Sequence, residues 1–167
     1  MPLPEKDAII FHPIGYIRSP FETPEGMPIQ PSGAKDVAGK IELHDALKEG
    51  LQDLEGFSHI ILLYHFHKNE DYHLKVKPFM DTEERGLFST RAPRRPNMIG
   101  MSTVELLSIE GNVLHIRGVD VLDRTPLIDI KPYVKEFDAV PADRFGWLET
   151  NAKKSESLKS DERFANK

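Results

Sequence analysis

Short apolar runs with the two-residue period of β-strands, separated by turn residues, restrict the fold of this chain more than any other feature. In Val113–Val119, for example, Leu114 and Ile116 face one way while His115 and Arg117 face the other. The predicted strands are Ala8–Arg18, Lys40–His44, Phe57–His67, Gly86–Thr90, Met101–Ile109, Val113–Val119 and Leu127–Ile130. Many short strands of this kind predict an all-β fold, a barrel or a sandwich, and argue against a doubly wound sheet.

Helical patterning is limited to a small part of the sequence. Asp45–Leu54 is the clearest candidate, because Leu47, Leu51 and Leu54 recur at helical spacing and Asp45 can cap the first turn. We therefore expect one or two short peripheral helices at the edge of the β-domain.

Two long connections interrupt the strand pattern. Phe21–Gly39 is rich in Pro and Gly, and Lys68–Arg85 is charged and interrupted by a proline. Loops of this length inside a compact domain usually bind ligands or act as lids. The polar segment 148–167 is predicted to be a C-terminal tail, either a surface helix or a disordered end, which leaves 8–147 as the domain.

Composition excludes several classes of protein. With 167 residues, 39% of them hydrophobic, the chain can form one domain with a substantial core. Its net charge of −5 argues against a broadly basic nucleic-acid coat but allows a local basic pocket. The absence of cysteine excludes disulfides, thiolate metal sites and a cysteine nucleophile. The longest strongly apolar run, Ile60–Tyr64, is too short to span a membrane, and the first residues do not resemble a signal peptide, so we expect a cytoplasmic protein with no membrane partner.

The first candidate site is the segment Thr90–Gly100, in which Arg91, Arg94 and Arg95 are held between prolines. Guanidinium groups on a stiffened loop suit the bidentate recognition of carboxylates or phosphates. The alternative interpretation is a solvated basic turn between two strands, and the charges alone favour neither.

The second candidate site is the aspartate-rich segment Asp120–Tyr133, with further carboxylates at Asp123 and Asp129. Carboxylates at a strand exit can hold ribose hydroxyls, an ammonium or a sulfonium, or can accept a proton. In the alternative interpretation, Asp123 and Asp129 stabilise turns and pair with Arg124 and Lys131.

A third pattern, His65-Phe66-His67, places two histidines on one face of a strand, which is a spacing found in some metal sites. More often, one such histidine packs and the other makes a polar contact. The sequence contains no Gly-x-Gly pair, no Gly-Lys-Ser/Thr and no Gly-x-Ser-x-Gly, so the Rossmann, Walker and nucleophile-elbow motifs are absent.

Taken together, these segments resemble the TrmO/TsaA-like family of S-adenosylmethionine-dependent methyltransferases. The matching segments are Pro13–Phe21, Pro28–Gln30, Leu54–Ile60, Arg91–Ser102 and Asp120–Tyr133, in the order found in the family. The resemblance implies a single closed, mainly antiparallel β-barrel with long loops, which binds S-adenosylmethionine in a cleft at a homodimer interface.

The resemblance also implies which residues form the site. Cofactor contacts are expected at Pro28, Ile29, Gln30, His67, Lys68, Arg91, Met101, Asp120, Asp123, Arg124, Thr125 and Pro126. Arg94, Arg95 and Lys131 are expected to contact an anionic substrate, Asp129 and Tyr133 to serve catalysis, and no metal is expected. Arg124 stands where the family usually has glycine, so the turn is expected either to change shape or to gain a basic contact.

The implied activity is N6-methylation of a threonylcarbamoyl-adenosine beside the tRNA anticodon. Two alternatives remain: a methyltransferase with another substrate, and a module that binds S-adenosylmethionine without turnover. A third interpretation, a metal-dependent hydrolase, is supported only by the histidines and the acidic loop. The apolar, Pro-rich segment Phe21–Pro31 adds to the expectation of a homodimer, because it is costly to leave exposed.

Overall fold

The structure, a computed structural model, describes residues 8–28, 31–79 and 81–149. Its strands are β1 (Gly15–Arg18), β2 (Ala38–Leu43), β3 (His59–His65), β4 (Lys75–Val76), β5 (Arg85–Gly86), β6 (Ile99–Glu110), β7 (Val113–Arg117) and β8 (Thr125–Pro132). One α-helix, α1, covers Lys135–Asp138, and 3-10 helices cover Pro31–Ala34, Asp45–Leu51, Leu54–Gly56, Leu87–Ser89 and Gly146–Leu148.

Six of the strands form a closed antiparallel barrel in the order β1-β2-β7-β6-β3-β8, while β4 and β5 form a separate two-stranded sheet. The predicted all-β barrel with short peripheral helices is therefore confirmed. β6 is long enough to pair with β3 along its first half and with β7 along its second half.

The barrel interior is filled by one side chain in two from every strand. Along β3, for example, Ile60, Leu62 and Tyr64 are almost completely buried, whereas the residues between them are more exposed. The fully buried core residues include Ile17, Ile41, Ile60, Leu114, Ile116 and Leu127. Burial of each such side chain contributes roughly 1.5–3 kcal/mol, and this alternation holds the strand register.

A second, smaller apolar cluster supports the connection between β3 and β6. Val76, Leu87 and Ala92 are buried together, with Tyr72 packed against them. The indole N–H of Trp147 donates to the Ser89 carbonyl at 2.8 Å, which ties the segment after α1 to this cluster.

Three local predictions were wrong. The predicted strand Gly86–Thr90 is instead the end of the two-residue strand Arg85–Gly86 followed by the 3-10 helix Leu87–Ser89, because Leu87 packs in the small cluster rather than in the barrel while Phe88 is exposed. The predicted helix Asp45–Leu54 is two 3-10 helices, and its N-cap is His44, not Asp45. Residues 8–14 of the first predicted strand are not in a strand.

Candidate functional site

Three connections of the barrel meet at one end. Because the strands are antiparallel, β1, β3 and β7 end where β2, β6 and β8 begin, as the pairs Arg18 with Lys40 and His65 with Ile99 show. The connections 19–37, 66–98 and 118–124 therefore lie together at what we call the loop end. Most of the predicted site residues belong to these connections, so the topology alone brings the separate segments of the sequence to one place.

At the loop end, a hydrogen-bonded chain runs from the barrel core to a carboxylate. The Tyr64 hydroxyl lies 2.9 Å from the Ser102 hydroxyl, which donates to Asp120 Oδ1 at 2.7 Å. Tyr64 and Ser102 are buried, with 3% of each residue exposed, and Asp120 is partly buried. The three side chains join β3, β6 and the connection that follows β7.

Gly100 makes the space for this chain. It pairs with Tyr64 across β3 and β6, and a Cβ atom at this position would collide with the rings of Tyr64 and Phe66. The two rings meet edge to face, with centroids 5.5 Å apart. The glycine in the predicted arginine segment therefore allows the Tyr64 ring to lie across the strand with its hydroxyl at Ser102.

Burial dominates the electrostatics of the chain. It raises the pKa of Asp120 to about 6, although the hydrogen bond from Ser102 opposes the shift. Burial also raises the pKa of Tyr64, and the negative charge of Asp120 adds to that effect, while the positive charge of Arg91 lowers it. The positive charge of the exposed Arg91 therefore reaches the buried Tyr64 from the arginine loop.

Arg94 and Arg95 of the same loop contact neighbouring parts of the chain. Arg94 forms an ion pair with Asp71 at 3.0 Å, and Arg95 donates to the Thr90 and Ala92 carbonyls at 2.9 and 3.4 Å. Arg95 also lies over the Phe88 ring. These contacts stiffen the loop, so Arg94 and Arg95 shape the segment that presents Arg91.

The carboxylate of Asp123 fastens the turn before β8 to the end of β1. It accepts from the Arg18 Nε at 2.8 Å and from the Ser19 backbone N–H at 3.1 Å. The hydrogen bond from Arg18 is the main reason that the pKa of Asp123 is lowered. The next residue, Arg124, adopts the left-handed conformation with φ of 60°, so the turn keeps a glycine-like shape with an exposed basic side chain.

The two residues that follow Asp123 and Arg124 start β8 at the loop end. Thr125 is buried, and its hydroxyl donates to the Leu122 carbonyl at 2.8 Å, while Pro126 pairs with Tyr16. Pro28 lies in the connection 19–37 at the same end, and Ile29 and Gln30 lie outside the described residues.

His67 and Lys68 also lie at the loop end, directly after β3. Burial lowers the pKa of His67, and the positive charge of Lys68 adds to the effect, so the imidazole is neutral at neutral pH. Nowhere in residues 8–28, 31–79 and 81–149 do three His, Asp or Glu side chains gather as metal ligands would.

Asp129, Lys131 and Tyr133 lie away from this carboxylate chain, along the outside of β8. The β3–β8 register shifts between Leu63 and Tyr64, and this irregularity puts Asp129 on the opposite face from the buried Leu127. Asp129 pairs with the Lys131 ammonium at 2.7 Å. Tyr133 lies at the other end of the barrel, where its backbone N–H donates to the carbonyl of His59.

Met101 lies near the start of β6, on the outer surface of the barrel. It is 55% exposed and lies opposite Leu63, whose other neighbour is Asp129. Met101, Leu63 and Asp129 thus form a row across three strands on the outer surface. Since neighbouring strands are about 4.8 Å apart, Asp129 lies two strand spacings, roughly 10 Å, from Met101.

Sequence reasoning missed Tyr64 and Ser102. The available signal was the position of Ser102, which shares the core-facing register of β6 with Val104 and Leu106 and so places a hydroxyl in an apolar layer. Tyr64 stood inside an apolar run, and its need for a buried hydrogen-bond partner could have suggested the pair.

The part of the chain that forms the barrel matches a known protein family. Residues 16–139 match the family model of the tRNA-methyltransferase O N-terminal domain. A protein of Pyrococcus abyssi named "Probable S-adenosyl-L-methionine-binding protein" is 54% identical over 93% of this chain and 85% of its own length. The tRNA (adenine(37)-N6)-methyltransferase of Mus musculus is 37% identical over 83% of this chain, which spans only 34% of the mouse protein.

Solved structures agree with these sequence matches. The crystal structure of TrmO from Pseudomonas aeruginosa aligns with a TM-score of 0.71 and 40% identity, covering 84% of this chain and 62% of that one. A second crystal structure of TrmO aligns with a TM-score of 0.70 and 43% identity. The present chain therefore spans less than two thirds of the length of the TrmO chains that it resembles.

Proposed function

The chain belongs to the family of the tRNA-methyltransferase O N-terminal domain, and from this membership we propose that it is an S-adenosylmethionine-dependent methyltransferase acting on N6 of a tRNA adenosine. The acceptor we propose is threonylcarbamoyl-adenosine beside the anticodon. One observation carries the proposal: the topology brings Arg91, Asp120 and the residues after β3 to one end of a family barrel.

The chemistry of the loop end suits this cofactor. S-adenosylmethionine has a carboxylate, which the Arg91 guanidinium can hold, and a cationic sulfonium and ammonium, which acidic side chains at this end of the barrel attract. Pro28, Ile29, Gln30, His67, Lys68, Met101 and the segment 123–126 complete the proposed cofactor contacts. The Asp123 carboxylate is already held by Arg18, so we propose that this residue acts by fixing the turn.

We expect S-adenosylmethionine to bind with a dissociation constant of order 1 μM, which corresponds to roughly −8 kcal/mol. A pocket that encloses an adenosine and a zwitterionic tail supplies interactions of this size. Isothermal titration calorimetry measures the constant directly, and the melting temperature should rise because the ligand binds only the folded chain. No heat and no thermal shift at millimolar cofactor would contradict the expectation.

Asp129 and Tyr133 are proposed to contact the acceptor rather than the cofactor. Asp129→Asn and Tyr133→Ala should therefore leave cofactor affinity within about twofold while lowering the rate of methyl transfer at least tenfold, as for contacts made with the second substrate. Cofactor titrations, thermal melts and tRNA methylation on the same variants test this. If Asp129 only stabilises β8 through Lys131, its variant will lose stability and cofactor affinity together.

We also propose that the protein is a homodimer. Within the described ranges, Phe21 and Met27 of the Pro-rich loop are partly or fully buried, so the exposed apolar surface lies elsewhere. Phe137, Val140 and Phe145, after β8, are 81%, 75% and 57% exposed. Apolar side chains that are this exposed often mark contacts between subunits.

Light scattering should therefore give about twice the 19.0 kDa of one chain. Phe137→Glu should shift the mass toward the monomer, because it places a charge in the contact, and Glu136→Gln on the same helix serves as the control. A monomer mass for the unsubstituted protein across a wide concentration range would contradict the dimer.

A second candidate function is a module that binds S-adenosylmethionine without turnover. It is favoured by the names of similar archaeal relatives, since those of Pyrococcus abyssi and Archaeoglobus fulgidus are called S-adenosyl-L-methionine-binding proteins. Incubation with methyl-labelled cofactor and total tRNA separates the two functions. Label in tRNA, and none in DNA treated in the same way, supports the enzyme, whereas cofactor binding without label supports the module.

Across the described ranges, none of the helices combines the length and apolar character needed to cross a bilayer. We propose that the protein acts in the cytoplasm, where tRNA is the partner expected for this family.

A further inference from the structure

Methylation of an adenine amine requires a group that takes up a proton, and three aspartates are candidates. Two of them already hold cations: Asp123 accepts from the Arg18 Nε at 2.8 Å, and Asp129 lies 2.7 Å from the Lys131 ammonium. A carboxylate that is held by a cation is a weak base, because protonation would leave the cation unpaired.

Asp120 differs from both. In the part of the chain that the structure describes, no Lys, Arg or His forms an ion pair with it, and its hydrogen-bond partner from another residue is the Ser102 hydroxyl. Its side chain is partly buried, so water stabilises its charge less well than at the surface. These conditions make Asp120 more basic than a carboxylate in water, whereas Arg18 makes Asp123 less basic.

The hydrogen bonds behind Asp120 have a fixed direction. Ser102 has a single hydroxyl proton, and it donates that proton to Asp120, so the Tyr64 hydroxyl must be the donor in its contact with Ser102. Both hydroxyl dipoles therefore point toward the carboxylate, and each hydrogen bond strengthens the other. The chain holds the orientation of Asp120 without neutralising it.

We propose that Asp120 is the catalytic residue that accepts the proton of the acceptor amine, and that Ser102 and Tyr64 are positioning residues that hold its carboxylate. The proposal rests on the methyltransferase function proposed above. Tyr64 and Ser102 would then contribute to the reaction in addition to packing in the barrel core.

The step balances in atoms and charge. The amine nitrogen attacks the methyl carbon of S-adenosylmethionine, and a C–N bond forms as the C–S bond breaks. The electron pair of the C–S bond stays on sulfur, which becomes a neutral thioether. The nitrogen loses its proton to Asp120, which becomes a carboxylic acid and later releases the proton to solvent.

The acidity of Asp120 fits this role. Its pKa of about 6 leaves it ionised at neutral pH and yet close enough to neutrality to take up a proton, which is the range in which general bases are most effective. The titratable and charged groups that face it are Tyr64 on β3 and, beyond that hydroxyl, Arg91 on the arginine loop. Ser102 faces it from β6 and does not titrate.

The first test compares Asp120→Asn with the unsubstituted protein in single-turnover methylation of tRNA. Asparagine can still accept from Ser102 but cannot take up the proton, so the rate should fall about 10²- to 10⁴-fold. Asp143→Asn removes the same charge at an exposed position and should not change the rate. An unchanged rate for Asp120→Asn, while the unsubstituted protein methylates tRNA, overturns this assignment alone.

The second test measures the rate against pH for Ser102→Ala and Tyr64→Phe. Without the donor, the carboxylate is less stable, so the acid limb for Ser102→Ala should move to higher pH by about one to two units, the equivalent of a charge-assisted hydrogen bond. Tyr64→Phe should move it less, in the same direction. If the two residues only pack, their variants should lower the rate by the same factor at every pH. That result would overturn the positioning role of Ser102 and Tyr64.

Different results would overturn the proposed methyltransferase function and the proposed roles of Asp120 and Ser102. If the unsubstituted protein binds the cofactor but transfers no methyl group to tRNA, the proposed function fails, and this assignment fails with it. NMR titration of the Asp120 carboxyl carbon in the unsubstituted protein and in Ser102→Ala follows the same hydrogen bond without any substrate. Equal titration midpoints in the two proteins would overturn the positioning role of Ser102.

Discussion

Arg91→Ala should weaken S-adenosylmethionine binding about tenfold to a hundredfold. The positive charge of Arg91 acts on the buried Tyr64 at the loop end, and we propose that its guanidinium holds the carboxylate of the cofactor. The loss of one charge-assisted contact with the cofactor carboxylate corresponds to about 1.5–3 kcal/mol. Calorimetric titration of the variant measures the change, and the melting temperature without ligand reports whether the fold is intact.

Arg144→Ala is the matched control, because Arg144 is 92% exposed on the segment after α1. Its affinity for the cofactor should equal that of the unsubstituted protein. Equal affinity for Arg91→Ala would remove the arginine loop from the cofactor site. Loss of affinity in both variants would point instead to a general effect of net charge.

Asp120→Asn should stabilise the ligand-free protein at pH 7 by up to about 3 kcal/mol, the equivalent of a pKa raised from 3.8 to about 6. The folded state binds a proton more tightly than the unfolded state does. Asp120 therefore favours folding below pH 4, and this contribution is lost as the pH rises through about 6. The asparagine variant has no carboxyl group at this position, so its stability does not fall with pH for this reason.

Urea unfolding of both proteins from pH 4 to pH 8 tests the prediction. The difference in unfolding free energy should be small at pH 4, grow through pH 6 and level off near pH 8. Asp143→Asn, at a position that is 93% exposed, should show no such trend. A difference that is the same at every pH would show that Asp120 does not titrate in this range.

Much of the barrel could be predicted because its strands are local patterns. β3 appears in the sequence as a continuous apolar run and β7 as apolar alternation, and the structure shifts the predicted ends of β3, β6 and β7 by a few residues or fewer. The segment Gly86–Thr90 could not be predicted, because Leu87 packs in the small cluster with Val76 while Phe88 is exposed. A short apolar pattern does not show whether its residues pack in the barrel or in the small cluster.

The site could be predicted in part. Proline and arginine spacing marked the arginine loop, and the aspartates marked the turn before β8, but sequence alone did not separate their roles. Asp123 is distinguished from Asp120 by a long-range partner, Arg18, which is 105 positions away from it. The face of Asp129 depends on a register irregularity opposite β3, which no local pattern indicates.

We propose that this barrel transfers a methyl group to N6 of an adenosine in tRNA. The most direct measurement is nucleoside mass spectrometry after incubation with methyl-labelled S-adenosylmethionine and tRNA that carries threonylcarbamoyl-adenosine, with tRNA lacking that modification as control. The account predicts one labelled methyl group on threonylcarbamoyl-adenosine and none in the control. Unlabelled tRNA in both samples, with cofactor binding intact, would contradict it.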